Sequence, residues 1–212
     1  LAVSISSGFR HEIRDGLSSL AGDIQITPPD MNVLDESSPI EREPSYLAAV
    51  EGVDGVREVV PAVYRAGIVK NADNIHGVMF KGVPQGASAG GHDVADSIPL
   101  AVSIPSRLAE IASLKTGDRM LAYFVGEKVK MRQFNVAAIH DVMVETDDNL
   151  VVYAAMSDLQ RLMGWDENEV SAIEVLMDSS HKDETDIREA TMHIGGLVSA
   201  YSYDSDAPVI AT

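Results

Sequence analysis

The sequence predicts a mixed α/β protein of the α+β class, in which a small β-rich subdomain is inserted into a larger two-layer subdomain. Strand and helix patterns alternate in the first and last thirds of the chain, whereas the middle is dominated by strand patterns. A stretch rich in Gly, Ser and Ala, residues 84–97, separates the first part from the middle. One layer of helices on one sheet would accommodate the outer thirds.

The N-terminal residues resemble the end of a membrane helix. Residues 1–5 are apolar and begin abruptly, and the next apolar residues recur at helical spacing: Phe9, Ile13, Leu17 and Leu20. Gly22 is a suitable helix stop, and residues 23–27 have a strand pattern. We therefore expect residues 1–22 to extend a membrane helix and lead into the first strand.

The rest of the first part contains a short helix and a long hairpin. Pro44 suits the first turn of a helix that ends at Gly52. Residues 56–69 and 75–83 are rich in β-formers and are separated by a polar turn. These patterns predict two long antiparallel strands.

The β-rich insert begins with a helix that starts near Ser103. Strands are predicted over residues 119–125 and from about 129 to 139, joined by the tight turn Gly126-Glu127-Lys128.

Two sets of apolar residues lie in opposite phases along the second of these strands. Val129 and Met131 share one phase, and the other set is Phe134, Val136 and Ala138. An extra residue exchanges the two faces of a strand. The sequence therefore predicts a bulge near Arg132 and Gln133.

The last third alternates between strands and helices. Strands are predicted over residues 150–154 and 172–177, with a helix from Ser157 to Gly164 between them. A second helix is predicted over residues 183–194, ended by Gly195-Gly196, and a final strand over 198–203.

Charge and composition exclude several classes of protein. The chain has 212 residues, a formal net charge of −17 and no cysteine. A strongly acidic surface repels nucleic acids and anionic lipid surfaces. Without cysteine the chain forms no disulfide and has no thiolate nucleophile or Cys-ligated metal site.

No sequence motif predicts a catalytic, cofactor-binding or metal-binding residue. The phosphate-binding, dinucleotide-binding, nucleophile-elbow and zinc-helix patterns are all absent. The pair His140-Asp141 is interpreted as a surface pair at a strand end rather than as metal ligands. The acidic residues Asp183, Glu184 and Asp186 are interpreted as favourable charges at a helix N-terminus rather than as catalytic carboxylates.

One local basic cluster interrupts the acidic chain and is the candidate partner-contact site. Its residues are Gly126, Glu127, Lys128, Lys130 and Arg132. The three cations alternate and would share one face of a strand. They either discourage edge pairing as a solvated face or contact an acidic or lipid-carrying partner.

Five stretches, taken in order, resemble FtsX-like, MacB-type ABC transporter permeases, and most closely the lipoprotein-releasing (LolC/LolE-type) permeases. They are residues 8–26, 75–83, 106–118, 157–164 and 172–175. Together they span nearly the whole chain, and their order and spacing carry the resemblance.

The resemblance implies a periplasmic domain of a bacterial inner-membrane permease. Residues 23–95 and 145–212 would form a porter-like α/β subdomain, and residues 96–144 a sabre-like β-rich insert. ATP would be hydrolysed by a separate cytoplasmic ATPase subunit, so this chain would not be an enzyme and would need no cofactor. It would transmit ATP-driven motion for lipoprotein release or substrate export.

The same resemblance implies a second permease subunit, identical or homologous, and a lipoprotein cargo with a periplasmic carrier. The carrier-binding permeases have a long hook where this chain has only Gly126-Glu127-Lys128, which places docking through a hook in doubt. The alternative function is a free-standing periplasmic ligand-binding or adaptor module, which would require a pocket with convergent polar groups.

Overall fold

The structure is a computed structural model that describes residues 22–29, 31, 38–70, 74–84, 98–126, 128–141, 150–202 and 209–212. The predicted membrane-helix extension and the predicted linker lie outside these residues, apart from Gly22 and Pro84. Within the described ranges, no helix combines the length and the apolar character that a membrane span requires.

Strands dominate the described residues, as the sequence predicts for an α+β protein. The strands are β1 (Ile24–Thr27), β2 (Ile40–Glu41), β3 (Val56–Lys70), β4 (Ile75–Val83), β5 (Ala101–Pro105), β6 (Arg119–Phe124), β7 (Lys130–His140), β8 (Val151–Ala155), β9 (Glu169–Val170), β10 (Ala172–Met177) and β11 (Ile210–Ala211). The helices are α1 (Leu47–Glu51), α2 (Ser106–Ala112), α3 (Met156–Met163) and α4 (Glu184–Ser202).

The chain divides into two compact units. The first, which we call the barrel unit, contains the described residues between 63 and 159. The second, the open-sheet unit, contains those within 22–31, 38–62 and 160–212. β3 contributes its first half to the open-sheet unit and its second half to the barrel unit.

Six strands of the barrel unit form a closed ring. Their order is β3-β4-β8-β5-β7-β6, and β6 pairs back onto β3 through Ile68 with Tyr123 and Val69 with Ala122. The β4–β8 and β5–β7 pairs are parallel, and the other four pairs are antiparallel. Because the ring is closed, each of its six strands pairs with a neighbour on both sides.

An aromatic cluster fills the interior of the ring. Phe80 on β4 lies 5.0 Å, between ring centroids, from both Phe124 on β6 and Phe134 on β7. β4 is not a neighbour of β6 or β7, so these contacts cross the barrel interior. Gly67 on β3 makes room for the cluster, because a Cβ there would lie 2.9 Å from Cε2 of Phe80.

The open-sheet unit contains four antiparallel strands in the order β11-β1-β10-β3. Ile26 pairs with Ile173, which pairs with Pro61 on β3. Proline has no backbone N–H to donate, and it is tolerated at position 61 because this half of β3 is an edge among the described strands. It pairs with β10 on one side and with no described strand on the other. β2 and β9 form a separate two-stranded ladder.

The C-terminal helix is longer than the sequence predicts. α4 continues through Gly195-Gly196 to Ser202, so the strand predicted over residues 198–203 is wrong. Val198 is fully buried and extends the stripe formed by Ala190 and Ile194 at intervals of four residues. Burial of this stripe outweighs the unfavourable helix propensity of the two glycines, which costs about 1 kcal/mol each.

The bulge predicted near Arg132 and Gln133 lies elsewhere. The β6–β7 register is continuous from Phe124 with Lys130 to Arg119 with Asn135. The shift occurs in the β5–β7 pair, where Val102 faces Val136 and Ser103 faces Ala138, which leaves Ala137 as the extra residue.

The two compact units have boundaries other than those of the predicted subdomains. The units divide at 62/63 and 159/160, whereas the predicted subdomain boundaries are 95/96 and 144/145. Strands from outside residues 96–144 belong to the barrel unit, because β3, β4 and β8 complete its ring. The porter-like and sabre-like identities of the subdomains remain predictions.

Candidate functional site

The candidate contact residues lie on the β6–β7 hairpin of the barrel unit, which we call the contact hairpin (residues 119–135). The last strand pair is Phe124 with Lys130, so the connecting loop has five residues, 125–129. The loop is therefore longer than the tight turn that the sequence predicts. Gly126 is half-buried, Lys128 is exposed, and Glu127 lies outside the described residues.

The other two predicted cations lie on β7. Arg132 is exposed and pairs across the hairpin with Ala122, while Lys130 is half-buried and pairs with Phe124. Lys130 and Arg132 alternate with Met131 and therefore share one face of β7. The structure thus brings Lys128, Lys130 and Arg132 together at one end of a single hairpin.

The hairpin is fixed from the inside of the barrel. Arg65 on β3 is buried, and its Nη2 donates a hydrogen bond of 2.8 Å to the carbonyl oxygen of Val125. Phe124, the last residue of β6, is part of the interior aromatic cluster. The loop therefore begins from a rigid position, which is what a preformed recognition surface requires.

Exposed apolar side chains surround these cations. Val125, Val129 and Met131 are 52%, 65% and 54% exposed. They account for three of the eight large apolar side chains that are exposed among the described residues, and they fall within seven consecutive positions. This exposed apolar patch was not predicted from the sequence, although the phase of Val129 and Met131, opposite to that of Phe134, was a signal for it.

A second cluster, which we call the polar row, lies on five neighbouring strands of the barrel unit, in the order β3, β4, β8, β5 and β7. Cross-strand pairing aligns Tyr64 with Lys81, Lys81 with Tyr153, and Tyr153 with Ser103. Ser103 Oγ lies 2.8 Å from Nδ1 of His140, whose ring meets the ring of Tyr153 edge-on at 5.1 Å between centroids. Sequence reasoning missed this row because it depends on strand register.

Burial favours the neutral forms of two ionisable side chains in the polar row, Lys81 and Tyr153. Lys81 is 4% exposed, and burial lowers the pKa of its ammonium group to about 8. The ammonium nitrogen lies 5.6 Å from the ring centroid of Tyr64, which stabilises the cation. Burial also raises the pKa of Tyr153. Ser103 and His140 are buried, so the interpretation of His140 as a surface residue is wrong.

The open-sheet unit contains a buried carboxyl group. Glu174 on β10 is 1% exposed, and its strand neighbours are Gln25 and Val60. Burial raises the pKa of Glu174 to about 8. A carboxylic acid that stays protonated near neutrality can donate a hydrogen bond.

The acidic residues at the start of α4 have a structural role. Oδ1 of Asp183 accepts hydrogen bonds of 2.9 Å from the backbone N–H groups of Thr185 and Asp186, so Asp183 caps the helix. Glu184 and Asp186 lie in the first turn, where negative charge is favourable. No group of three or more potential ligands that could hold a metal ion occurs in the part of the chain that the structure describes.

Two solved structures share this fold. The chain is similar to the extracellular domain of the noncanonic ABC-type transporter YknZ from Gram-positive bacteria, with a TM-score of 0.51, 14% sequence identity, and coverage of 89% of this chain and 98% of that one. It is also similar to the periplasmic region of MacB from Actinobacillus actinomycetemcomitans, with a TM-score of 0.51, 12% identity, and coverage of 89% and 87%.

At sequence identities of 14% and 12%, the structural similarity shows that the fold is shared. The α+β class predicted from the sequence is confirmed, and so is the resemblance to MacB-type domains at the level of fold. No protein-family model matches the sequence, and no curated protein does either. The predicted closeness to lipoprotein-releasing permeases remains a prediction.

Proposed function

We propose that this chain is an extracytoplasmic domain of an ABC-type transporter permease, on the periplasmic side of a bacterial inner membrane. The observation that carries the proposal is a fold shared over 89% of the chain with two domains of ABC-type transporters. Sequence motifs in the same order as in these permeases support it independently. Because one fold hosts many functions, the proposal needs a direct test of location.

The test uses the absence of cysteine from the chain. Lys115→Cys introduces one thiol at an exposed position, and Ile104→Cys introduces the matched control at a fully buried position. Cells that express the gene are treated with a membrane-impermeant maleimide after permeabilisation of the outer membrane only.

We expect Lys115→Cys to be labelled in these cells, whose inner membrane is intact, and Ile104→Cys to stay unlabelled until denaturation. Labelling of Lys115→Cys only after lysis of the inner membrane would overturn the proposed location. The alternative of a free-standing periplasmic module predicts the same labelling, but release of the protein with the periplasmic fraction instead of the membrane fraction.

Within this proposal the domain transmits motion and does not hydrolyse ATP. In the proposal, as the resemblance to these permeases implies, ATP is hydrolysed by a separate cytoplasmic ATPase subunit. A second permease subunit, identical or homologous, completes the assembly. We expect the purified chain to show no ATPase or hydrolase activity; turnover that co-purifies with the chain and changes with its substitutions would contradict this role.

The contact hairpin is the surface that we assign to partners of this domain, through Gly126, Glu127, Lys128, Lys130 and Arg132. Its rigid anchoring by Arg65 and its exposed apolar and cationic side chains support the assignment. The process served is lipoprotein release to a periplasmic carrier or export of another substrate. Depletion of the protein distinguishes them, because lipoproteins accumulate in the inner membrane only in the first case.

A further inference from the structure

One part of the outside of the barrel unit is apolar and exposed. The aromatic cluster marks the interior of the ring, and residues of the opposite phase on the same strands face outward. Strand register aligns four outward residues across β7, β6, β3 and β4: Met131 pairs with Tyr123, Tyr123 with Ile68, and Ile68 with Gly77. Met131 and Gly77 are exposed, and the two residues between them are half-buried.

Further apolar side chains flank this row. Leu121 lies two residues before Tyr123 and Ile75 lies two residues before Gly77, so both share the outward phase. We call the surface the outer face, and its residues are Ile68, Ile75, Gly77, Leu121, Tyr123, Val125, Val129 and Met131. It contains four of the eight large apolar side chains that are exposed among the described residues. A contiguous exposed apolar patch is typical of an interaction site.

The strands that carry the outer face have only positive charges. Residues 63–70, 75–83, 119–124 and 130–140 include six of the 16 lysines and arginines of the chain, but none of its 33 aspartates and glutamates. Lys70 and Arg119 are exposed and have the outward phase, and exposed Lys128 lies in the loop between Val125 and Val129. The outer face therefore combines an apolar centre with cations at its margins.

Two acidic residues lie next to these strands in the sequence. Asp118 directly precedes β6, but its Oδ2 accepts a hydrogen bond of 2.8 Å from the backbone N–H of Lys115, within its own turn. Glu127, in the hairpin loop, lies outside the described residues.

The chemistry of the outer face favours a protein partner over a lipid surface. The net charge of −17 repels anionic lipids at long range. Tyrosine and methionine, present here as Tyr123 and Met131, are enriched at protein interfaces.

Ring closure also indicates the form of the partner. β3 and β6, at the centre of the outer face, each pair with a strand on both sides. A partner therefore contributes side chains to this face rather than a further strand. An α-helix satisfies its own backbone hydrogen bonds and packs on a sheet through an apolar stripe.

We propose that the outer face binds an amphipathic helix of a protein partner, in which carboxylates flank an apolar stripe. The stripe packs on Ile68, Tyr123 and Met131, and the carboxylates meet Lys70 and Arg119. The proposal extends the contact hairpin onto the face of four strands and specifies the chemistry of its partner. It rests on the proposed function for the partner's location, but it is tested separately.

The probe is a synthetic helical peptide of about 18 residues, or five turns. Leucines recur at intervals of three and four residues, glutamates flank them, and alanines fill the remaining positions. One control peptide has the same composition in an order that scatters the leucines around the helix, and another has lysine in place of glutamate. Calorimetry measures binding of each peptide to the whole 212-residue chain.

We expect the acidic peptide to bind more tightly than both controls. Preference over the lysine peptide is a strict criterion, because the chain as a whole attracts cations. Lys70→Glu should weaken binding roughly tenfold, since it replaces an attraction with a repulsion. Met131→Ser and Ile75→Ser should each weaken it several-fold through the apolar centre, and they provide further variants if Lys70→Glu does not fold.

Matched control variants lie on α4 in the open-sheet unit. Arg188→Glu reverses a charge and Met192→Ser removes an apolar side chain, both at exposed positions, and both variants should bind the acidic peptide as the parent chain does. Circular dichroism checks that every variant is folded.

Three results would overturn the proposal: no binding of the acidic peptide, equal binding of the scattered-leucine peptide, or unchanged binding by the folded outer-face variants. Two further measurements identify other occupants. Flotation with phosphatidylglycerol vesicles that Met131→Ser abolishes would indicate a lipid surface, and a dimer in sedimentation equilibrium that Met131→Ser dissociates would indicate a second copy; either would also overturn the proposal. Cysteine labelling tests location independently, so a failure of this inference is distinguishable from a failure of the proposed function.

Discussion

The barrel unit and the open-sheet unit each bury one ionisable side chain on a strand, but the two side chains have opposite charge types. In the barrel unit, Lys81 lies on β4 next to Phe80, whose ring is in the aromatic interior. In the open-sheet unit, Glu174 is buried on β10 between Gln25 and Val60 of the two neighbouring strands. Burial brings the pKa of both groups to about 8, from 10.5 for Lys81 and 4.5 for Glu174.

Desolvation therefore favours the neutral form of an ionisable group whatever the sign of its charge. The consequences for stability are opposite. A carboxyl group with a raised pKa stabilises the fold at low pH, because the folded state binds the proton more tightly. An ammonium group with a lowered pKa destabilises the fold at low pH, because the folded state binds the proton less tightly.

The largest expected effect distinguishes the two cores. Phe80→Ala removes the ring that contacts both Phe124 and Phe134, and we expect a loss of about 3–5 kcal/mol in the free energy of unfolding. Ile173→Ala in the open-sheet unit should cost less, near the lower end of about 2–5 kcal/mol. Urea denaturation monitored by circular dichroism measures both. An equal or smaller loss for Phe80→Ala would show that the barrel interior tolerates the cavity.

The next effect concerns Glu174. Its stabilising contribution is fully present below pH 4.5 and is lost as the pH rises through about 8, because its pKa is raised by burial. Glu174→Gln keeps the shape but cannot ionise. We expect the variant to lose less stability than the parent chain between pH 4.5 and 8, as measured by urea midpoints across that range. Parallel pH profiles of the two proteins would contradict the raised pKa.

Lys81 provides the opposite test. Its contribution is present above pH 10.5 and is lost as the pH falls through about 8, since burial lowers its pKa. Lys81→Met retains most of the apolar stem and removes the charge. We expect the variant to gain less stability than the parent chain between pH 8 and 10.5, as measured in the same urea series. Parallel pH profiles of the two proteins in this interval would refute the prediction.

The smallest effects come from one substitution made in each unit. Gly67→Ala in the barrel unit should destabilise by about 1–3 kcal/mol, because the new Cβ would displace the Phe80 and Phe124 rings. Gly196→Ala in α4 should stabilise by up to about 1 kcal/mol, because nothing lies within 4 Å of the new Cβ and alanine favours a helix. The midpoint temperatures of thermal unfolding should therefore shift in opposite directions in the two variants. Shifts in the same direction would contradict the packing described for the two glycines.

Much of the fold was predictable because local patterns and burial agree. The two long strands β3 and β4 follow from residue periodicity, and the acidic first turn of α4 follows from the charge that a helix N-terminus favours. The helix predicted to start near Ser103 begins at Ser106, because residues 101–105 form β5. The candidate site was predictable in part. Lys128, Lys130 and Arg132 were identified from their charge, whereas the apolar patch of Val125, Val129 and Met131 was not.

The elements that escaped prediction depend on contacts between distant parts of the chain. The glycines in α4 mark a helix end by propensity, but the burial of Val198 continues the helix past them. The apolar residue Met131 looked like a core residue, yet it is exposed because the register places it on the face of β7 opposite to the buried Phe134. A single sequence shows which residues are apolar but not which neighbour covers them.

The amino-acid sequence alone is sufficient to predict the α+β class, the acidic character, the absence of cysteine chemistry and the position of the basic hairpin. These properties depend on composition and on periodicity over short distances. Three features depend on the tertiary structure: the closure of six strands into a ring, the alignment of Lys81 with Tyr64 and Tyr153, and the shifted register between β5 and β7. Each of these is a matter of strand register and partner choice, and both are set by the burial of side chains from segments that lie far apart in the chain.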